Sequence, residues 1–125
     1  MNFSSDNVAG AHESVLRAVV EANANTVPAY GDDALSAEAE TALQNLFETE
    51  CAIFFVTTGT AANALVLSAM CPPWGAVYCH ADAHILNDEN TAVELFSGGA
   101  RLVGIAGHAG KPDPVGLQEA IESAI

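Results

Sequence analysis

Apolar residues recur at helical spacing in the first third of the chain. From His12 to about Ala24, Val15, Leu16, Val19 and Val20 fall on one side, and from Ala34 to Glu48 the same holds for Leu35, Ala39, Leu43, Leu46 and Phe47. Both stretches predict amphipathic helices. Between them Val27-Pro28-Ala29-Tyr30-Gly31-Asp32-Asp33 reads as a loop, with Asp32 or Asp33 placed to cap the second helix. The pattern then changes to a short apolar run, Ala52 to Val56, which predicts a strand. A Thr-Gly-Thr turn follows, then an Ala-rich helix from Ala61 to Met70 that ends at Cys71-Pro72-Pro73-Trp74-Gly75. Ala76 to Cys79 reads as a buried strand, His80 to His84 as a loop and Arg101 to Ile105 as a further strand. Gly107 to Pro114 is a turn-rich connection, and Val115 to Ile125 reads as a helix. Strands alternating with helices imply an α/β fold with a parallel sheet and right-handed crossovers.

Composition narrows the partners. The chain has 125 residues, half of them apolar, enough for one domain with a core. Its 16 acidic residues against 3 basic ones give a formal charge of −13, which argues against nucleic acid and against anionic membrane surfaces. Small molecules or other subunits are the expected partners. Cys51, Cys71 and Cys79 lack C-x-x-C spacing and read as free, buried thiols rather than a disulfide framework or zinc site. No apolar stretch approaches membrane-spanning length, and Met1 to Asp6 lacks the basic and apolar regions of a signal peptide, so the expected location is the cytoplasm.

Candidate chemistry centres on Thr58-Gly59-Thr60. A strand that delivers the chain to a Gly-containing turn and then to a helix leaves free N–H groups and a positive dipole end facing whatever sits there, an arrangement suited to phosphate. Thr58 and Thr60 add hydroxyls, and Gly59 permits close backbone approach. The same residue types are also ordinary cap and turn chemistry.

Four blocks, taken in order, raise the specificity. Phe3-Ser4-Ser5-Asp6-Asn7, Ala29-Tyr30-Gly31-Asp32-Asp33, Phe55-Val56-Thr57-Thr58-Gly59-Thr60-Ala61-Ala62-Asn63 and His80-Ala81-Asp82-Ala83-His84-Ile85 resemble the N-terminal half of the low-specificity L-threonine aldolases. These are pyridoxal-phosphate (PLP) enzymes of fold type I, and the resemblance runs from Phe3 to the last helix. It implies that residues 1–125 are the N-terminal portion of a PLP-binding large domain, with a mainly parallel sheet flanked by helices. It also implies a smaller C-terminal domain beyond this sequence and assembly as a homodimer or homotetramer around an amino-acid substrate.

Residue by residue, the resemblance makes Thr58, Gly59 and Thr60 the cup for the cofactor phosphate. It makes His84 the imidazole that stacks on the pyridine and exchanges a proton with the substrate hydroxyl or a water. Ser5 matches a position that helps hold the substrate carboxylate, with Asp6 supporting the same segment; capping is their other reading. Tyr30 lies in a loop that in relatives reaches the active site, and by itself also reads as a half-buried aromatic. Glu89 falls where relatives place a carboxylate near the cofactor, and beside Asp88 it also reads as part of a solvated acidic face. His80 reads as a structural hydrogen-bonding residue, His12 and His108 as exposed, Asp82 as a loop cap and Arg101 as a surface cation.

Two departures from the family matter. PLP chemistry needs a Schiff-base lysine, an aspartate on the pyridine nitrogen and an arginine for the substrate carboxylate. The resemblance places these beyond position 125. The only lysine, Lys111, lies in a surface turn and is rejected for that role. The 125 residues by themselves are therefore expected to be inactive. Asn90-Thr91 stands where close relatives usually carry Cys-Gly, which leaves the turn after Glu89 open. The expected reaction is cleavage of L-threonine or L-allo-threonine to glycine and acetaldehyde. Its rivals are a PLP-dependent β-eliminating lyase of another amino acid, a non-catalytic α/β module that holds a phosphorylated ligand at Thr58-Gly59-Thr60, and a remnant without function. No structural cation is expected.

Overall fold

A computed structural model describes residues 8–124 and divides the chain into two compact units, residues 1–54 and 55–125. Ser5 and Asp6 lie outside the described residues.

The first unit holds helices α1 (Glu13–Ala22) and α2 (Ala34–Phe47), close to the spans that apolar spacing predicts. His12 caps α1, its Nδ1 accepting the Ser14 N–H at 3.2 Å. Asp33 rather than Asp32 caps α2, accepting the Ser36 N–H at 2.9 Å and the Ser36 hydroxyl at 2.7 Å. These bonds, the side-chain one foremost, hold the Asp33 carboxyl below its ordinary value. The loop between the helices turns through Tyr30 (φ +67°) and Gly31 (φ +85°), both left-handed. Beyond α2, Gln44 Nε2 donates to the Cys51 carbonyl at 2.9 Å and ties down the returning chain.

The second unit contains α3 (Gly59–Met70), β1 (Ala76–His80), α4 (His84–Asn87), α5 (Ala92–Ser97), β2 (Arg101–Ile105), a small hairpin of β3 (Gly107–His108) and β4 (Lys111–Pro112), and α6 (Pro114–Glu122). Strands β1 and β2 pair in parallel from Ala76↔Arg101 to His80↔Ile105. Such a pair needs a crossover, and here α4 and α5 supply it. Helix α3 packs against α5, and α4, α5 and α6 pack against β2. Ala64, Val93, Ala100 and Ile105 form the buried apolar centre. Gly104 allows this packing, because a Cβ there would come within 2.8 Å of Leu86 Cδ2 on α4 and 3.4 Å of the Ala81 Cα. At Gly107 a Cβ would fall on the Lys111 carbonyl oxygen, so the β3–β4 turn also requires glycine.

One predicted element is corrected. Ala52 to Val56 forms no strand; it has no ladder partner among the described residues, and Phe54, Phe55 and Val56 are exposed. An apolar run becomes a strand only when a neighbour satisfies its backbone N–H and C=O groups. The thiols depart from expectation in degree: all three cysteines are free but only partly buried, and burial pushes the Cys79 thiol up from its ordinary pKa.

Candidate functional site

The turn that opens α3 has the geometry of an anion-binding helix start. Thr58 is its N-cap, in an extended conformation, and its hydroxyl oxygen accepts the Ala61 N–H at 3.0 Å. The Ala62 N–H reaches the Thr58 carbonyl at 3.2 Å. The N–H groups of Gly59 and Thr60 take no hydrogen-bond partner among the described residues, as expected of the first two positions of a helix. Thr58 uses its hydroxyl oxygen in the cap and keeps its hydroxyl proton for a ligand. Nothing lies within 4 Å of a Cβ built on Gly59, so the approach to this turn is open.

Asn63 follows Gly59 by four residues, which places both on the same face of α3. Its side-chain amide donates to Glu89 Oε1 at 2.7 Å. The same oxygen lies 2.8 Å from His84 Nδ1. His84 is the first residue of α4, four residues past the carboxyl end of β1, and its side chain is 69% exposed, whereas that of Glu89 is fully covered. A covered carboxylate is costly unless donors meet it. Here the Asn63 amide and the His84 imidazole meet one oxygen of a fully covered side chain, and this excludes the reading of Glu89 as part of a solvated acidic face. The fold delivers Glu89 inward by an abrupt reversal: Asn90 (φ +47°) and Thr91 (φ +62°) are both left-handed, and the Ala92 N–H closes back on the Glu89 carbonyl at 3.0 Å. Thr91 thus occupies, in a strained form, the conformation that glycine takes most easily.

The remaining sequence candidates are placed as follows. Tyr30 belongs to the first unit and is fully exposed, not half-buried. His80 is buried, and its Nδ1 accepts the Asp82 N–H at 3.1 Å, the structural bond expected of it. Asp82 caps nothing; its exposed carboxylate lies 3.8 Å from His80 Nδ1. His12, His108 and Arg101 are exposed, and Lys111 stands exposed in β4. Asn63 is the residue that sequence reasoning passes over. Its signal is a lone amide in an otherwise Ala- and Leu-rich helix, one turn after Gly59. No group of three or more His, Cys, Asp or Glu side chains among the described residues is arranged to hold a metal ion.

The donor set suits a phosphate joined to a planar ring. Two free backbone N–H groups and the Thr58 hydroxyl lie at an open turn, while an exposed imidazole is held by a carboxylate that is bonded to the same helix. The sequence profile of the beta-eliminating lyase family matches residues 2–125. The chain belongs to the beta-eliminating lyase family. Among curated relatives, the low specificity L-threonine aldolase of Pseudomonas aeruginosa is 40% identical over 117 residues, 94% of this chain and 34% of that protein. The corresponding aldolase of Pseudomonas sp. matches equally, at 40% over the same length. This beta-eliminating lyase family chain thus spans about a third of the length of these two relatives. Its α/β character, with a parallel strand pair covered by helices, agrees with the fold class expected from the sequence, and no helix among the described residues is long and apolar enough to cross a membrane.

Proposed function

We propose that this chain is the cofactor-binding portion of a PLP-dependent aldehyde-lyase that cleaves L-threonine or L-allo-threonine to glycine and acetaldehyde. The observation that carries the reading is the connection of an open, Thr58-capped helix start to His84 through Asn63 and Glu89. The kinship with the two Pseudomonas aldolases supports the choice of substrate. In this reading the Gly59 and Thr60 N–H groups and the hydroxyls of Thr58 and Thr60 bind the phosphate, and His84 lies along the cofactor ring. Bound there, PLP supplies the electron sink that cleavage of a carbon–carbon bond beside an amino group requires. His84, or a water that it orients, accepts the proton of the substrate β-hydroxyl. Ser5 and Tyr30 are assigned to substrate binding by the family resemblance. The complete enzyme is proposed to work as a homodimer or homotetramer in the cytoplasm.

The test is product analysis. The complete enzyme carrying this sequence, given L-threonine and L-allo-threonine, is expected to release acetaldehyde and glycine, and His84→Ala to lower kcat by about a hundredfold or more, the usual contribution of a general base. Release of pyruvate or another keto acid in place of acetaldehyde would assign the chain to β-elimination instead.

A further inference from the structure

We infer that Asn63 is a positioning residue which, through Glu89, holds His84 as its Nδ1–H tautomer and leaves Nε2 as the ring's free proton acceptor. The inference deepens the proposed function, since it specifies which atom of His84 is available to a substrate. It stands, however, on bonds within this chain.

Glu89 Oε1 is an acceptor shared by two donors, the Asn63 amide at 2.7 Å and His84 Nδ1 at 2.8 Å. An oxygen that already takes the Asn63 N–H serves as an acceptor, so the hydrogen between it and the imidazole is assigned to Nδ1. In the neutral ring the lone pair then lies on Nε2. The orientation of the Asn63 amide follows by the same logic, because its carbonyl oxygen would repel the carboxylate and its NH2 group does not. Glu89 could not orient the ring if it were free to rotate. Its side chain is fully covered, and Oε2 is buried without a hydrogen-bond partner among the described residues. The Asn63 bond therefore fixes the end of Glu89 that serves the histidine.

The backbone around these residues points the same way. His84 opens a four-residue helix whose N-cap, Ala83, contributes no side-chain bond, so helix capping leaves the ring unrestrained. The two consecutive left-handed residues that follow Glu89 turn its side chain inward. Strained backbone of this kind persists only where surrounding structure over-determines it. Asn63 lies on the same face of α3 as Gly59, so the helix that opens at the phosphate cup also carries the group that orients the imidazole.

A purely structural role for Asn63, tying α3 to the segment between α4 and α5, predicts loss of stability with no effect on the ring. Side-chain ¹⁵N NMR of the 125-residue chain at neutral pH, without cofactor, separates the two roles. We expect His84 Nδ1 to resonate as a protonated nitrogen and Nε2 as one bearing a lone pair. Asn63→Ala should move both nitrogens toward the averaged values of an unrestrained imidazole, and Glu89→Ala should do so fully. Glu89→Gln, whose side-chain carbonyl still accepts from Nδ1, should retain most of the preference. Amide signals of Ala64, Val93 and Ile105 report whether each variant keeps its core. A wild-type His84 protonated at Nε2 would overturn the inference whatever the variants do. So would an Asn63→Ala chain with an intact core and unchanged His84 nitrogens. Failure of PLP to perturb the Gly59 and Thr60 amides would instead count against the proposed function and leave the tautomer result standing.

Discussion

Thr91 pairs a β-branched side chain with φ +62°, two residues after Glu89. The left-handed region costs an L-residue about 1–2 kcal/mol. Glycine removes that cost but gives back roughly 0.5–1 kcal/mol through the freedom it gains in the unfolded chain. Thr91→Gly is therefore expected to stabilise the second unit by about 0.5–1 kcal/mol net, read as a higher urea midpoint with unchanged slope. An unchanged or lower midpoint would mean that the Thr91 side chain makes up for its backbone. The residues of the site differed in how far the sequence revealed them. The candidate turn Thr58-Gly59-Thr60 could be read locally, because hydroxyls, a glycine and a helix start are adjacent in the chain. His84 needed the family resemblance, since a lone histidine carries no signal. Glu89 was recognised as a candidate, but its burial was not visible, because Asp88 beside it reads as surface. Asn63 was missed because its partner lies 26 residues away and only the packing of α3 on α5 brings them together.

At the scale of elements, α1 and α2 follow from apolar spacing and caps, α3 from its Ala-rich run after the Thr-Gly-Thr turn, and β2 from its apolar run between glycines. Helix periodicity is set within one segment, so it survives in the sequence. A strand depends on a neighbour, and Ala52 to Val56 has the composition of one without the ladder. The helices of the crossover between β1 and β2 are not legible in the sequence, since at four and six residues they are too short to display a period. The start of α2 yields a pH prediction. The Asp33 carboxyl is held below its ordinary value of 3.8 by the Ser36 hydroxyl and N–H. A lowered folded pKa means that the cap contributes its full stability above pH 3.8 and loses it as pH falls through the lower, folded pKa. Helicity of the wild-type chain, followed by circular dichroism, should therefore fall more steeply below that pH than helicity of Asp33→Asn. Asparagine still caps but does not titrate. Parallel acid profiles would remove Asp33 from the account.

At the scale of the whole molecule, many large apolar side chains among the described residues are exposed. Leu65, Val66 and Met70 of α3, together with Phe54, Trp74, Leu95 and Phe96, are exposed, and the described core is small. A helix that is apolar around its circumference, as α3 is, ordinarily sits inside a larger body. This fits a chain that spans about a third of its relatives' length. The family and the α/β class were legible because four sequence blocks kept their order. The division into two units was not, because it depends on which segments pack together. The central claim is that the opening of α3 holds the phosphate of PLP, and the most direct measurement is an amide NMR titration of the chain with PLP and, separately, with inorganic phosphate. The account predicts that the Gly59 and Thr60 amides shift with both and that the His84 ring signals respond to PLP alone. It also predicts that Thr60→Ala weakens PLP binding roughly tenfold, the loss expected for one charge-assisted hydrogen bond. Gly59 and Thr60 amides that stay in place at saturating PLP would contradict it.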